Sequence, residues 1–491
     1  MISALTSSKG RVIKVSELHK EYLRKILSKN AKHDVGNALD LVPFLSKRTR
    51  KVRGNFNSVL GEFVRGICSL ELDLSALKSP EYTFSSDDSP DGYEFVWHIS
   101  SQIEFTNEDE KYDFIRFLSE YMFNKDEIKI IHPYLFNFIR VNKNDKNEFS
   151  KYGKFMNDVL IRDKKKFQSI FKSTKTDDIL TKLVISQKNV LKEVNTKEKK
   201  YDCLLPIITK LYEEDILFLS KHEDFFLKSF SLLTHFYVFM YICQLIIKFE
   251  SFSKANYDTL DPLYFTLEWE RLSRRRKGAD DLHSYKFIKS KLDRLFPHIH
   301  TLSQLSHNRA CIKENELDIN KKIKVLTYPE IKDLLENGQV DRDIFLSDLH
   351  DWMIDYSDIF RKEFKKKYTP TFQNIDEGME ELFNLINRGT SDGVSKKYGG
   401  NLEDLGANVF IKNRGSIGQV LNISHEFLIL LTAVSVKETR IPLNKLFQEF
   451  KKRGVQLDRY SKSEVVFVLE KLNLIDKKSD SGDAQYVKPI L

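Results

Sequence analysis

Four cysteines, Cys68, Cys203, Cys243 and Cys311, are all that a chain of 491 residues carries, and no two form a C-x-x-C pair. A disulfide-held secreted scaffold is thereby excluded, and reduced thiols in a cytoplasmic protein are expected. Charge of one sign is also scant. Lys and Arg total 79 against 71 Asp and Glu, a balance of +8 that permits DNA contact but is too weak for a dedicated nucleic-acid coat. The G-x-x-x-x-G-K-[ST] phosphate loop is missing: Gly399-Gly400 runs into Asn-Leu-Glu-Asp-Leu, without the phosphate lysine. The chain is therefore no P-loop ATPase, and any ATP falls to a partner. Neither G-x-S-x-G nor H-E-x-x-H occurs, which removes the usual serine-hydrolase and zincin readings. Met1 to Lys25 has no apolar core of a signal peptide, so none is expected.

Long apolar runs are equally rare. Ser229 to Ile247 is nineteen residues without formal charge, just enough to span a bilayer. It contains Ser, Thr, His and Gln and is flanked by Lys228 and Lys248. That predicts the core helix of a large helical domain rather than a membrane span.

What is present is a hydrophobic content of 41%, ample for real cores. The 36 Phe and 20 Tyr fit an AT-rich genome and are not read as a stacking platform. Periodicity predicts helices over 112–123, 204–219, 225–249, 282–295, 345–364 and 375–385. Tyr93-Glu-Phe-Val-Trp-His-Ile and Gln102-Ile-Glu-Phe read as short strands. Seven of nineteen glycines fall between Gly389 and Gly418, the signature of a loop-rich linker around a short strand at 408–411. The expected organisation is mainly α and multi-domain, with a few short strands. A basic helical region covers 1–92, a helical body 93–388, a Gly-rich linker 389–418 and a winged helix-turn-helix 419–491.

Three constellations invite chemistry. Pro90-Asp91 with Glu127-Ile-Lys129 has the loose form of a Mg²⁺ nuclease site, but acids are abundant and the spacing fits chance. His298, His300, His307 and Cys311 cluster in sequence, and a single helix could present three of them to zinc. Pro297 is expected to interrupt that helix, and a polar face with an incidental thiol is the preferred reading. Neither a metal nor a cofactor is expected. Arg274-Arg275-Arg276-Lys277, just after Trp269, is the sharpest basic run. Arginine forks suit phosphate, while a helix end capped near Gly278 is the plainer reading.

The last seventy residues are the most informative. An apolar helix follows Ser424; a second puts Leu443, Leu446, Phe447 and Phe450 on one face and stops at Arg453-Gly454. A third is expected to open on a capping box, Ser461 with Glu464, and to bury Val465, Val468, Leu469 and Leu472. Leu474-Ile475 and Tyr486-Val487 flank a polar tip turning at Gly482, a two-stranded wing. The wheel leaves Ser463, Val466, Phe467 and Glu470 outward. Base-reading helices usually offer Arg, Asn or Gln. The expectation is therefore partner docking through Val466, Phe467 and Glu470, with Lys462, Lys471, Lys477 and Lys478 available to phosphates.

Arg414-Gly-Ser-Ile-Gly-Gln-Val-Leu421, the following helix pair, and Leu469-Glu-Lys-Leu-Asn-Leu-Ile-Asp-Lys-Lys-Ser-Asp-Ser-Gly-Asp-Ala-Gln-Tyr-Val487 resemble the C-terminus of the DptG family. These are DNA phosphorothioation-dependent restriction proteins. The resemblance covers roughly the last eighty residues. It implies a cytoplasmic subunit of a bacterial phage-defence complex, working with ATPase and other subunits on double-stranded DNA that lacks the sulfur mark. It carries no catalytic motif. A nuclease subunit of such a complex and a winged-helix regulator remain the alternatives. Changing Arg274, Arg275 and Arg276 to Ala should weaken duplex binding for every sequence and reduce its salt dependence, with the melting temperature unchanged. Loss of fold would instead place the run in a structural ion-pair network.

Overall fold

The computed structural model describes residues 16–29, 32–34, 40–73, 93–124, 127–186, 190–195, 198–271, 283–313, 316–317, 323–364, 368–477 and 485–491. Helix makes up 59% and strand 8%, so the mainly α class read from the sequence holds. Two compact units divide the chain. One comprises Met1–Thr49, Ile242–Asp261 and Lys286–Glu403, the other Arg50–Tyr241, Pro262–Tyr285 and Asp404–Leu491.

The first unit is helical. Leu295–Ser306, Tyr328–Glu336, Arg342–Ile359 and Ile375–Gly389 pack together and bury Leu302, Phe345, Trp352, Leu382 and Ile386. Three of them start on a side chain that accepts an otherwise free backbone N–H: Thr327, reciprocally with Glu330, Asp341 and Asn374. Trp352 finds its partner inside, Nε1 donating to Gln304 Oε1 at 2.8 Å. Asp348 gathers the N-terminal segment, accepting the backbone N–H groups of Glu17 and Leu18 and the ammonium of Lys20.

Two expectations are corrected here. The helix predicted over 282–295 is short, Tyr285–Ser290, and the longer one starts only at Leu295. The stretch 389–418, expected as a Gly-rich linker, holds the helix Asp392–Gly406. Its central glycines serve close packing: a Cβ on Gly399 would meet the carbonyl oxygen of Leu292 at 1.9 Å, and one on Gly400 the Arg48 guanidinium at 2.8 Å. Glycine used for close approach and glycine used for flexibility look alike in sequence.

The elements needed below are, in chain order, α1 (Lys143–Val159), α2 (Lys164–Phe171), α3 (Pro206–Leu219), α4 (Glu223–Glu250), β1 (Leu263–Leu267), β2 (Ile411–Asn413) and β3 (Gln419–Ile423). Then come α5 (His425–Val436), β4 (Ile441–Pro442), α6 (Leu443–Lys452), β5 (Val455–Gln456), α7 (Arg459–Lys471), β6 (Ile475–Lys477) and β7 (Gln485–Val487). The uncharged run lies in α4. By length and composition α4 passes for a membrane span, yet 89% of its most apolar window is buried inside the protein, as in a core helix.

In the second unit, Tyr93–Ser100 is a helix, not the predicted strand. It packs on the helix Glu108–Met122, and Val96 and Ile99 share a buried cluster with Ile115, Leu118 and Met122. Aromatic and branched residues raised the strand reading, and tertiary packing overrode it. β1 lies at the centre of a four-stranded sheet, parallel to both β3 and β5, with β2 antiparallel on β3. A second sheet, in the order β6-β7-β4, is antiparallel throughout.

A buried ion pair joins α3 to the end of α6. Arg453 Nε and Nη2 donate to the two oxygens of Asp215 at 2.8 and 2.6 Å. Nη2 also reaches the carbonyl of Val434 at 3.1 Å, and Tyr237 Oη donates to Asp215 at 2.6 Å. Arg453 is 2% exposed in its side chain and Asp215 0%, so neither has water to fall back on. Asp215→Ala should therefore cost about 3–5 kcal/mol of unfolding free energy, and Asp215→Leu with Arg453→Met considerably less. Urea denaturation checks this; equal losses in single and double variants would show that the stranded charge is not the cause.

Candidate nucleic-acid interface

The C-terminal end of the second unit is built from three helices and the sheet β6-β7-β4. α5 starts where the sequence predicts, with Ser424 Oγ accepting from Phe427 N at 3.1 Å. α6 buries Leu446 and Phe450 and stops at Arg453-Gly454, where Gly454 takes a φ of +79°. α7 departs from expectation. Its cap is Asp458, which accepts from Ser461 N at 2.8 Å, so the helix begins at Arg459. Ser461 is buried inside the first turn and donates to Glu270 at 3.0 Å. The predicted box of Ser461 with Glu464 is thus replaced by an earlier start. Val465, Val468 and Leu469 are buried as expected, but Leu472, just past the last turn, is 50% exposed.

That earlier start sets the chemistry of the surface. Arg459 and Lys462 come to face α6 across an open groove of about 760 Å³, lined by Asn444, Phe447, Gln448, Lys451, Gln456, Arg459, Lys462, Ser463 and Val466. Three cations, three amides and no carboxylate line it. Lys462 Nζ stands 5.3 Å from the centre of the Phe447 ring, which holds the ammonium at the groove wall. Such a lining can bind phosphate oxygens through Lys and Arg and can offer both donors and acceptors through the amides.

The residues singled out in the sequence divide. Val466 and Lys462 line the groove; Phe467 and Glu470 are exposed beside it. Phe467 is not bare, since Lys471 Nζ lies 4.2 Å over its ring. Lys477 is paired in β6 with Gln485 through the backbone; its side chain lies outside the described residues, as do Lys478, Arg274, Arg275 and Arg276. Asn444, Gln448, Lys451 and Arg459 were not singled out. The first three recur at i, i+4 and i+7 opposite Leu446 and Phe450, a stripe the same helical wheel displays. Arg414 proves structural, with Nη2 donating to the carbonyls of Leu267 and Glu268 and to Asn422 Oδ1.

Of the other two constellations, the His–Cys set does not assemble, and the carboxylates of the nuclease-like one lie outside the described residues. Asp91 and the Glu127 side chain fall outside the described residues, and Lys129 donates to the Glu120 carbonyl at 2.7 Å. Pro297 sits in the first turn of Leu295–Ser306, where its missing N–H breaks no bond. That helix ends before His307 and Cys311, so no single face presents the set. His298 Nδ1 lies 2.8 Å from Tyr328 Oη, His307 Nδ1 2.6 Å from the Ser303 carbonyl, and the His300 ring 4.1 Å from that of His33. Among the described residues no three His, Cys, Asp or Glu are grouped to hold a metal.

Burial pushes the imidazoles of His235 and His300 down to about 4. An unfolded chain protonates near the ordinary value of about 6.5. Their stabilisation is therefore complete above that pH and lost as the pH falls toward 4, on the order of 3 kcal/mol for each. Urea unfolding measured across this window should show stability rising with pH and flattening above it, and His300→Leu should reduce the slope. An unchanged slope would mean that His300 is not neutral in the fold. No model of a known protein family matches the chain, and no curated protein matches it either.

Proposed function

We propose that this chain is a non-catalytic, DNA-engaging subunit of a bacterial phosphorothioation-dependent restriction complex, and that its C-terminal module is a winged helix. The groove between α6 and α7 carries the reading: cations and amides without a single acid are what a phosphate backbone selects. The winged-helix assignment is supported by the order α5, β4, α6, β5, α7, β6, β7, in which β4 and β6 both pair with β7, while the two-residue β5 between α6 and α7 pairs with β1 instead. The restriction setting rests on the resemblance of the C-terminus to the DptG family. With no phosphate loop of its own, the chain works beside ATPase and other subunits in the cytoplasm, meeting double-stranded DNA mainly through its backbone. Lys471, the wing lysines Lys477 and Lys478, and Arg274 to Arg276 are further phosphate contacts. Phe467 and Glu470, exposed next to the groove, form the docking edge for a partner subunit, with Val466 at its border.

The two faces of α7 can be tested apart. Lys451→Ala, Arg459→Ala and Lys462→Ala together should lower duplex affinity for all sequences and reduce the salt slope by about 0.9 for each phosphate no longer neutralised. Phe467→Ala should cost on the order of 2 kcal/mol of association with the co-expressed partners and leave DNA affinity unchanged. Fluorescence anisotropy and co-purification read the two effects. Metal-dependent DNA cleavage by the purified chain would overturn the non-catalytic role, and tight, salt-insensitive binding to one sequence would overturn backbone recognition.

A further inference from the structure

The groove between α6 and α7 holds more than a phosphate backbone can use. Phosphates need cations, and Lys451, Arg459 and Lys462 supply them. The groove also presents the amides of Asn444, Gln448 and Gln456 beside two apolar side chains, Phe447 and Val466. Asn444 and Gln448 are exposed one turn apart on α6, while Phe447 on α6 and Val466 on α7 are half-buried. The carboxylates of the two helices and of the link between them, Glu449, Asp458, Glu464 and Glu470, lie outside this lining. Glu449 is held by Lys445 and Lys452, and Asp458 by the Ser461 N–H and the Tyr264 hydroxyl.

Each kind of group has its counterpart in a nucleotide. An amide carries a donor and an acceptor side by side, the pattern of a base edge. An aromatic or aliphatic wall suits the flat face of a base. A double helix keeps its Watson–Crick edges paired and its base faces stacked, so to a concave surface it offers only sugar and phosphate. Size agrees with chemistry. About 760 Å³ falls within the roughly 300–1,000 Å³ of sites that enclose a small molecule, room for a nucleotide or two and far too narrow for a duplex. The Phe447 ring already has a guest, the ammonium of Lys462 at 5.3 Å from its centre. Drawn to a phosphate, that ammonium uncovers the ring.

We infer that the groove receives an unpaired strand of DNA where a duplex opens or ends. Lys451, Arg459 and Lys462 take its phosphates, Asn444, Gln448 and Gln456 its base edges, and Phe447 with Val466 a base face. The inference rests on the proposed DNA-engaging role and narrows it. On a blunt duplex only the cations find partners; on an unpaired strand the amides and the apolar wall do as well.

The test titrates the full chain against two labelled probes of equal overall length, a blunt duplex and the same duplex with one strand shortened to leave a single-stranded tail. Anisotropy reads the binding. The tailed probe should bind about tenfold more tightly, the order expected when one base gains an aromatic contact. Asn444→Ala with Gln448→Ala, at two exposed positions, should remove much of that gain and leave blunt-duplex affinity, salt slope and melting temperature unchanged, since no charge is lost. Phe447→Leu, which keeps an apolar side chain in the wall, should remove part of it. Lys451→Ala, Arg459→Ala and Lys462→Ala together should weaken both probes. Equal wild-type affinity for the two probes overturns the inference, and the DNA-engaging reading stands on the groove cations. A tail preference that persists in both the amide and the Phe447 variants places the unpaired strand outside the groove and overturns it as well. If the wild-type chain binds neither probe, the DNA-engaging reading fails and this inference with it.

Discussion

The second unit depends on one guanidinium placed against one carboxylate. Arg453 and Asp215 are both removed from water, and burying such a pair is favourable only when every strong donor and acceptor is matched. Here two carboxylate oxygens take two guanidinium nitrogens, a tyrosine hydroxyl donates to the carboxylate, the Val434 carbonyl accepts from the guanidinium, and its third nitrogen donates to Glu449 within α6. Gly454, in the left-handed region, then turns the chain into β5. Tyr264 on β1 holds Asp458, and Glu270 holds Ser461, so the start of α7 is fastened from the same side. Both walls of the groove are set by polar contacts with the rest of the unit.

Electrostatics explains how a net charge of +8 accommodates strongly basic places. Asp215, Glu213, Asp348 and Glu250 are held inside or at the edges of the fold against particular cations. Glu250 shows the balance: burial pushes its carboxyl up, and the hydrogen bonds from His298 and Arg294 bring it down to about 2. Each of these pairs withdraws one acid and one cation alike, so it is the uneven placement of the remaining charges that leaves the groove between α6 and α7 lined by three cations and no carboxylate. Whole-chain charge therefore says little about local potential.

Much of the fold was legible because it follows from period and capping. α3, α4 and α5, and the stop after α6, are where apolar spacing, an uncharged run, Ser424 and Gly454 put them. The failures have physical causes. Tyr93–Ser100 carries strand-prone residues, yet its neighbour Glu108–Met122 offers a helical groove to pack in. Asp392–Gly406 hides behind glycines whose missing Cβ atoms admit Leu292 and Arg48. α7 has two competing caps, Asp458 and Ser461, and the choice was made by Glu270, far off in sequence, which takes the Ser461 hydroxyl. That shift of three residues in the cap kept Arg459 out of the predicted surface. Lys462 and Val466 were on the wheel from the beginning.

β5 has a further consequence. The link between α6 and α7 is hydrogen-bonded alongside β1, with Leu263 opposite Val455 and Tyr264 opposite Gln456. A fragment cut at the expected boundary near residue 419 would leave those backbone groups without their neighbour, and Arg453 would lose Asp215 and keep only Glu449, the Val434 carbonyl and solvent. Such a fragment would present an open strand edge ready to pair with another copy. The smallest autonomous piece carrying the groove is therefore discontinuous in sequence: it must bring α3 and β1 with it.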